Sequence, residues 1–215
     1  MPAIRAVLWD FGGVILSSPF EAFNRYEAAR GLPRDFIRQV NARNPHDNAW
    51  ARLERGDLGT AEFAGAFEAE SRALGHAVDG ADVLALLSGE VRPQMVAVLR
   101  ALKGRYKQAC LTNNVRHGDG TGMARTAEKA RQVAEIMALF DQVVESSKVG
   151  VRKPEPRFYE IACELLQIAP AEAVFLDDLG INLKPAAAMG MRTIKVGAPQ
   201  PAIAELEAVL GHSLR

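Results

Sequence analysis

The sequence predicts an α/β protein, a parallel sheet flanked by helices, with an all-helical domain inserted after the first strand. Three observations predict it. Short apolar runs end abruptly in polar residues at Val7-Leu8-Trp9 before Asp10, at Ala109-Cys110-Leu111 before Thr112-Asn113-Asn114, and at Ala173-Val174-Phe175-Leu176 before Asp177-Asp178. Such runs, closed by glycine, asparagine or aspartate, read as buried strands. Helical stretches separate the strand candidates, and this alternation implies parallel pairing. Residues 19–90, by contrast, carry almost no strand signal.

In chain order, the first strand spans Ile4–Trp9 and breaks at Asp10-Phe11-Gly12-Gly13, which puts Asp10 at its carboxyl end. Open α/β sheets bind ligands at that edge. An aspartate there is costly to bury unless a cation or hydrogen-bond donors compensate it, although a helix-capping or turn role is an alternative. Short amphipathic helices follow at Glu21–Arg30, Arg34–Ala42, Ala49–Arg55, Thr60–Leu74 and Ala81–Leu87, punctuated by Gly31, Pro33, Pro45, Gly56, Gly59, Gly75 and Gly80. The remaining elements are a helix at Pro93–Lys103, a strand at Gln108–Thr112, a helix at Met123–Leu139, and a strand at Gln142–Glu145. A helix at Arg157–Leu166, a strand at Ala173–Leu176, a helix at Leu183–Met189 and a strand at Thr193–Val196 complete the chain. The expected organisation is a core of residues 1–18 and 91–215 with a helical cap of residues 19–90. A cap over the strand ends would exclude water and select substrate. The glycine-rich stretch His117–Gly122 lacks phosphate-loop spacing and reads as a flexible connection.

Composition bounds the function. The 215 residues carry 26 basic and 26 acidic side chains, so formal net charge is zero, and hydrophobic content is 48%. With no basic excess, nucleic acid and anionic membrane surfaces are not expected partners. Met1–Arg5 leads directly into the first strand with no leader pattern, and no apolar run is long enough to span a bilayer. Cys110 and Cys163 form no metal-binding or redox pair and read as buried core thiols. A reduced, cytoplasmic protein is expected.

Four chemistry-bearing segments follow one another: Asp10-Phe11-Gly12-Gly13, Thr112-Asn113-Asn114, Arg152-Lys153-Pro154-Glu155-Pro156, and Asp177-Asp178-Leu179-Gly180-Ile181-Asn182. This ordered set resembles the motifs of the haloacid dehalogenase superfamily. Its wording is most similar to the phosphatase-like amino-terminal domain of soluble epoxide hydrolases, notably at Phe140-Asp141 through Glu145-Ser146 and at Asn182-Leu183-Lys184-Pro185.

The resemblance implies a Rossmann-like core in which the three motif-bearing strands are neighbours with the first in the middle. It implies Mg²⁺ held by Asp10, the Gly12 carbonyl and Asp178, with Asp177 on the ion or behind it. Asp10 is then the nucleophile toward a small phosphorylated metabolite, and Lys153 the ammonium that neutralises the phosphoryl oxygens. Thr112 and the amides around Asn113 grip those oxygens, and Asn182 orients the group.

One departure stands out. Most phosphatases of the superfamily carry an acid–base aspartate two residues after the nucleophile, where this chain has Gly12. That leaves three readings: a substrate with a good leaving group, an acid lent by His46 or Asp47 of the cap, or a weak enzyme acting as a phospho-ligand binding or regulatory module. His46 also reads as an ordinary loop histidine. Metal-free dehalogenation, which needs no leaving-group acid, is the alternative reaction.

Overall fold

Five parallel strands form one sheet in the order β3-β2-β1-β4-β5 in the computed structural model, which describes residues 2–114 and 127–214. They are β1 (Ala6–Trp9), β2 (Lys107–Thr112), β3 (Gln142–Glu145), β4 (Ala173–Asp177) and β5 (Arg192–Lys195). β1 is central, with Trp9 level with Cys110 of β2 and Leu176 of β4. The strand order reverses between β1 and β4, so the carboxyl ends of β1, β2 and β4 share the crevice at the switch point.

Alternation along the strands builds two cores, one on each face. Val7, Trp9, Cys110, Val174, Leu176 and Ile194 pack under α6 (Pro93–Leu102), α7 (Ala127–Met137) and α11 (Pro199–Leu210). Ala6, Leu8, Ala109, Leu111 and Phe175 pack under α9 (Pro156–Leu166) and α10 (Gly180–Ala188). Both cysteines are buried free thiols. Burial pushes the Cys163 thiol up to about 11, as expected of an inert core thiol. Among the described residues, no helix is long and apolar enough to cross a membrane.

Residues between β1 and α6 form α1 (Phe20–Arg30), α2 (Phe36–Ala42), α3 (Ala49–Arg55), α4 (Thr60–Ala73) and α5 (Gly80–Ala85). They enclose a third core that includes Phe23, Ile37, Val40, Leu53, Phe63, Phe67 and Val83. The chain enters and leaves this unit through paired segments. Ser17 N donates to Glu90 O at 2.7 Å, and Arg92 N donates to Ile15 O at 2.9 Å. Gly89 lies at this crossing, where an added Cβ would come within 2.6 Å of Ser17 O.

Several boundaries differ from the sequence expectation. β1 starts at Ala6 rather than Ile4, although Arg5 N still donates to Glu172 O. α2 starts at Phe36, because Asp35 adopts a left-handed φ of 60°. The buried Glu27 carboxylate accepts from Asp35 N and Ile37 N at 2.7 and 2.9 Å and caps that start. α10 begins at Gly180, three residues before the expected Leu183, and a short helix α8 (Ser146–Val149) follows β3. The expected start of α7 at Met123 and the stretch His117–Gly122 lie outside the described residues.

Candidate active site

β1 delivers Asp10 to the crevice with only 8% of its surface exposed. Its Oδ1 accepts from Phe11 N at 2.7 Å, which fixes the carboxylate against the turn that follows. That turn, Phe11–Ile15, closes with Leu16 N donating to Phe11 O at 2.8 Å. The sequence raises the question whether Gly12 needs positive φ. It does not: Gly12 has φ −75° and nothing within 4 Å of an added Cβ. The left-handed residue is Gly13, φ 86°, where a Cβ would lie 2.2–2.7 Å from the carboxylate atoms of Asp178. Gly13 is therefore the glycine that the site requires, both for conformation and for room. Arg92 Nη1 donates to Gly13 O at 2.8 Å and holds the turn from α6's end.

Lys153 reaches the crevice from the segment before α9, after a peptide bond to Pro154 that is cis. It is fully buried, with Nζ 2.7 Å from Asp10 Oδ1 and 2.8 Å from Asp177 Oδ2. Asp177, at the end of β4, has both oxygens engaged. Oδ1 accepts from Leu179 N at 2.8 Å, and Asn182 Nδ2 lies 3.0 Å from each oxygen. Asn182 is fixed in turn by Tyr159, whose hydroxyl donates to Asn182 O at 2.7 Å. Asp178 is less buried, and its Oδ2 accepts from Ser18 Oγ at 3.0 Å. Thr112 ends β2 on the strand beside Asp10 and is buried.

The electrostatics follow from this crowding. Ligand oxygens of Asp10, Asp177 and Asp178 lie within 4.8 Å of one another. With the Lys153 ammonium, three carboxylates and one cation sum to a formal charge of −2 in a buried site. Burial drives the Asp10 carboxyl well above its ordinary value, Lys153 offsets part of that, and Asp177 adds to it. Burial and the adjacent Asp177 likewise raise Asp178. Burial pulls the Lys153 ammonium down, but Asp10 and Asp177 outweigh it and hold the group above its usual range, charged at neutral pH. Surplus negative charge of this size in a desolvated pocket calls for a cation. Oxygen donors at this spacing suit a hard divalent ion such as Mg²⁺, and the room left by Gly13 beside Asp178 fits the same reading.

Asn113 uses its side chain for architecture. Its Nδ2 donates to Lys153 O at 3.0 Å, and its Oδ1 accepts from Lys153 N at 2.9 Å. The cap-acid candidates are exposed rather than buried with the acids: Asp47 faces Arg55 at 4.0 Å, and the His46 carbonyl accepts from Arg55 at 2.9 Å. Sequence reasoning missed Ser18, Arg92 and Glu54. Glu54 of α3 is buried and accepts from Arg152 Nε at 2.6 Å and from Asn113 Nδ2 at 3.1 Å. Its place on an amphipathic helix gave no signal of such a role.

Known proteins resemble this chain in sequence and in fold. Mouse acyl-CoA dehydrogenase family member 10 is 35% identical over 98% of this chain, which covers 19% of that protein. Pig bifunctional epoxide hydrolase 2 is 30% identical over 99% of this chain and is covered over 40% of its length. This chain thus spans less than half of either relative. A phosphatase of Mycobacterium tuberculosis is 28% identical, with 90% of this chain and 88% of that protein covered. In fold, the chain matches a haloacid dehalogenase family enzyme of Bacteroides thetaiotaomicron, solved with magnesium and inorganic phosphate. The TM-score is 0.60 at 21% identity, over 91% of this chain and 96% of that one. The family model for haloacid dehalogenase-like hydrolases matches residues 4–190, so a parallel sheet whose central strand ends in a buried aspartate belongs here to a member of that hydrolase family.

Proposed function

We propose that this protein is a Mg²⁺-dependent phosphatase of small phosphorylated metabolites, working through an aspartyl-phosphate on Asp10. The observation that carries the reading is the cluster of three carboxylates with one ammonium among them, whose formal charge of −2 a divalent ion would offset so that an anionic phosphoryl group can enter. Asp10, the Gly12 carbonyl and Asp178 would hold the metal. Asp177, with both oxygens on protein donors, orients Lys153 instead. When bound, the ion supplies positive charge that offsets the phosphoryl oxygens.

The two contacts to the Asp10 carboxylate both fall on Oδ1, so Oδ2 is the atom to face phosphorus. Its attack forms the Asp10–phosphorus bond as the bond to the leaving oxygen breaks, and water then releases phosphate. Lys153 Nζ neutralises charge as the phosphoryl group crosses, while Thr112 Oγ and the amides around Asn113 grip its oxygens. Residues 19–90 act as the cap. Their contacts to Asn113 and Arg152 support seating beside the Lys153 segment.

Phosphate release from a metabolite panel, with Mg²⁺ and with excess chelator, tests the reading. Release should vanish with chelator, and Asp178→Ala should weaken Mg²⁺ binding more than Asp177→Ala does. Halide release from 2-haloacids at full rate in chelator would instead establish the dehalogenase. Metal-dependent turnover of any phosphate ester would count against a purely regulatory role.

Gly12 supports a second expectation. With no acid two residues after Asp10, alkyl phosphates should turn over more slowly than aryl or acyl phosphates, whose leaving anions are stable. General acid–base help is worth roughly 10²–10⁴-fold. Because φ is ordinary and the space open at this position, Gly12→Asp should fold and should accelerate alkyl esters more than aryl ones. A flat leaving-group dependence in the wild type would mean that another acid serves the leaving oxygen, and His46→Ala and Asp47→Ala would then be measured.

A further inference from the structure

We infer that Glu54 is a positioning residue that carries the seating of the helical insertion to the backbone of Lys153. Glu54 sits in the last turn of α3 with 7% of its surface exposed. Its carboxylate gathers donors from both parts of the molecule. Oε1 accepts from Trp50 Nε1 at 3.0 Å, within α3. Oε2 accepts from Arg152 Nε at 2.6 Å and Asn113 Nδ2 at 3.1 Å, both from the core. Arg152 also reaches the insertion on its own account, donating to Pro45 O at 3.0 Å.

The consequence lies one bond further in. Asn113 clasps Lys153 at both its N–H and its carbonyl, at 2.9 and 3.0 Å. Lys153 is thus fixed at two ends: its ammonium by Asp10 and Asp177, its backbone by Asn113. Glu54 ties that backbone end to the insertion through Asn113, and Arg152, the residue before Lys153, adds a second tie at Pro45 O. Its contact to Asn113 Nδ2 also sets which way the Asn113 amide faces, and so which atoms it presents to Lys153. A carboxylate is the group this place needs, since it accepts from three donors while its charge balances Arg152. If α3 lifted away, Arg152 and Asn113 would lose their shared acceptor, and the clasp on Lys153 would lose its support. The seated insertion therefore reinforces the position from which the Lys153 segment meets a phosphoryl group. The kinetic part of this inference rests on the phosphatase reading; the structural part does not.

The test uses the full chain and compares Glu54→Gln, Arg152→Gln and, as a control, Glu70→Gln. Glu70 accepts from Ala49 N at the start of the same α3 helix, wholly inside the insertion. With p-nitrophenyl phosphate and Mg²⁺, Glu54→Gln should lower kcat by roughly tenfold to a hundredfold with KM little changed, the scale of misplacing a reacting group. Glu70→Gln should leave kcat unaltered. Without ligand or metal, hydrogen exchange at the Lys153 amide should accelerate by about tenfold or more in Glu54→Gln and stay unchanged in Glu70→Gln. Should Glu54→Gln fail to fold, Arg152→Gln breaks the same seam from the core side and must give the same pattern. Unchanged Lys153 exchange, or an equal kcat loss in Glu70→Gln, would overturn the inference. If the wild type releases no phosphate, the phosphatase reading falls, and the exchange measurement alone decides the role of Glu54.

Discussion

Asp10→Asn should abolish turnover of every phosphate ester while leaving the fold intact. The substitution is nearly isosteric, and the amide oxygen can still accept from Phe11 N and Lys153 Nζ in place of Oδ1. What it removes is the anionic oxygen proposed to attack phosphorus. Enzymes that lose a covalent nucleophile retain only the catalysis due to binding and electrostatics, so a loss of about 10³-fold or more is expected. The substitution also removes one negative charge from the crowded pocket, so the metal-free variant should melt no lower than the wild type. Phosphate release and thermal melting in parallel check both halves. Activity above a few per cent of the wild type would assign the nucleophile to another group.

Lys153→Met should be the most destabilising substitution in the site. It removes the ammonium that, among the described residues, contacts Asp10 and Asp177, and it leaves buried carboxylates facing each other. Breaking a buried ion pair by deleting one partner costs about 3–5 kcal/mol. The loss should depend on pH in a definite direction. Burial already holds the Asp10 carboxyl above its ordinary value, and Lys153 is the main group lowering it. A carboxyl raised in the folded state contributes stability that is fully present below its unfolded value, roughly 4, and lost as pH rises through the folded value. Melting of the metal-free variant should therefore improve as pH falls from about 8 toward about 5, relative to the wild type at the same pH. A deficit that grows on acidification would contradict the charge account. Activity should also fall sharply, because no other group is proposed to neutralise the phosphoryl oxygens from that side.

The sheet and the main acids were legible because one local rule generates both. A buried strand that stops at a polar residue places that residue at the sheet's carboxyl edge, and strand–helix alternation makes those edges coincide. That rule puts Asp10, Thr112 and Asp177-Asp178 at strand ends, and the family resemblance supplied the adjacency of their strands. What was not legible depends on contacts between distant segments. Asp177 and Asp178 are consecutive carboxylates. Which one faces inward depends on Lys153 and on Asn182 one helical turn later. Gly12 and Gly13 look alike in sequence, and only the approach of Asp178 shows which one must lack a side chain. Glu54 lies among Arg52 and Arg55 and resembles any charge on a solvated face. Periodicity marks the apolar side of α3 but not which polar residue turns against the Arg152 segment. The start of α2 at Phe36 escapes periodicity for a similar reason, since the cap comes from Glu27 on the preceding helix.

The three apolar clusters share no residue, and the helical unit joins the sheet through two chain segments that run side by side at Ser17 and Glu90. Changes inside Phe23, Phe63 or Phe67 thus have no direct packing route to the strands, and their energetic effects should add to those of sheet substitutions. Such a layout is modular: the helical unit, proposed to meet the substrate, can drift, shrink or be exchanged while the sheet stays as it is. The seam at Glu54 and Arg152 is where that freedom ends. A transplanted helical unit would have to bring its own acceptor for the arginine and asparagine, or the recipient would inherit a new roof over a loosened lysine.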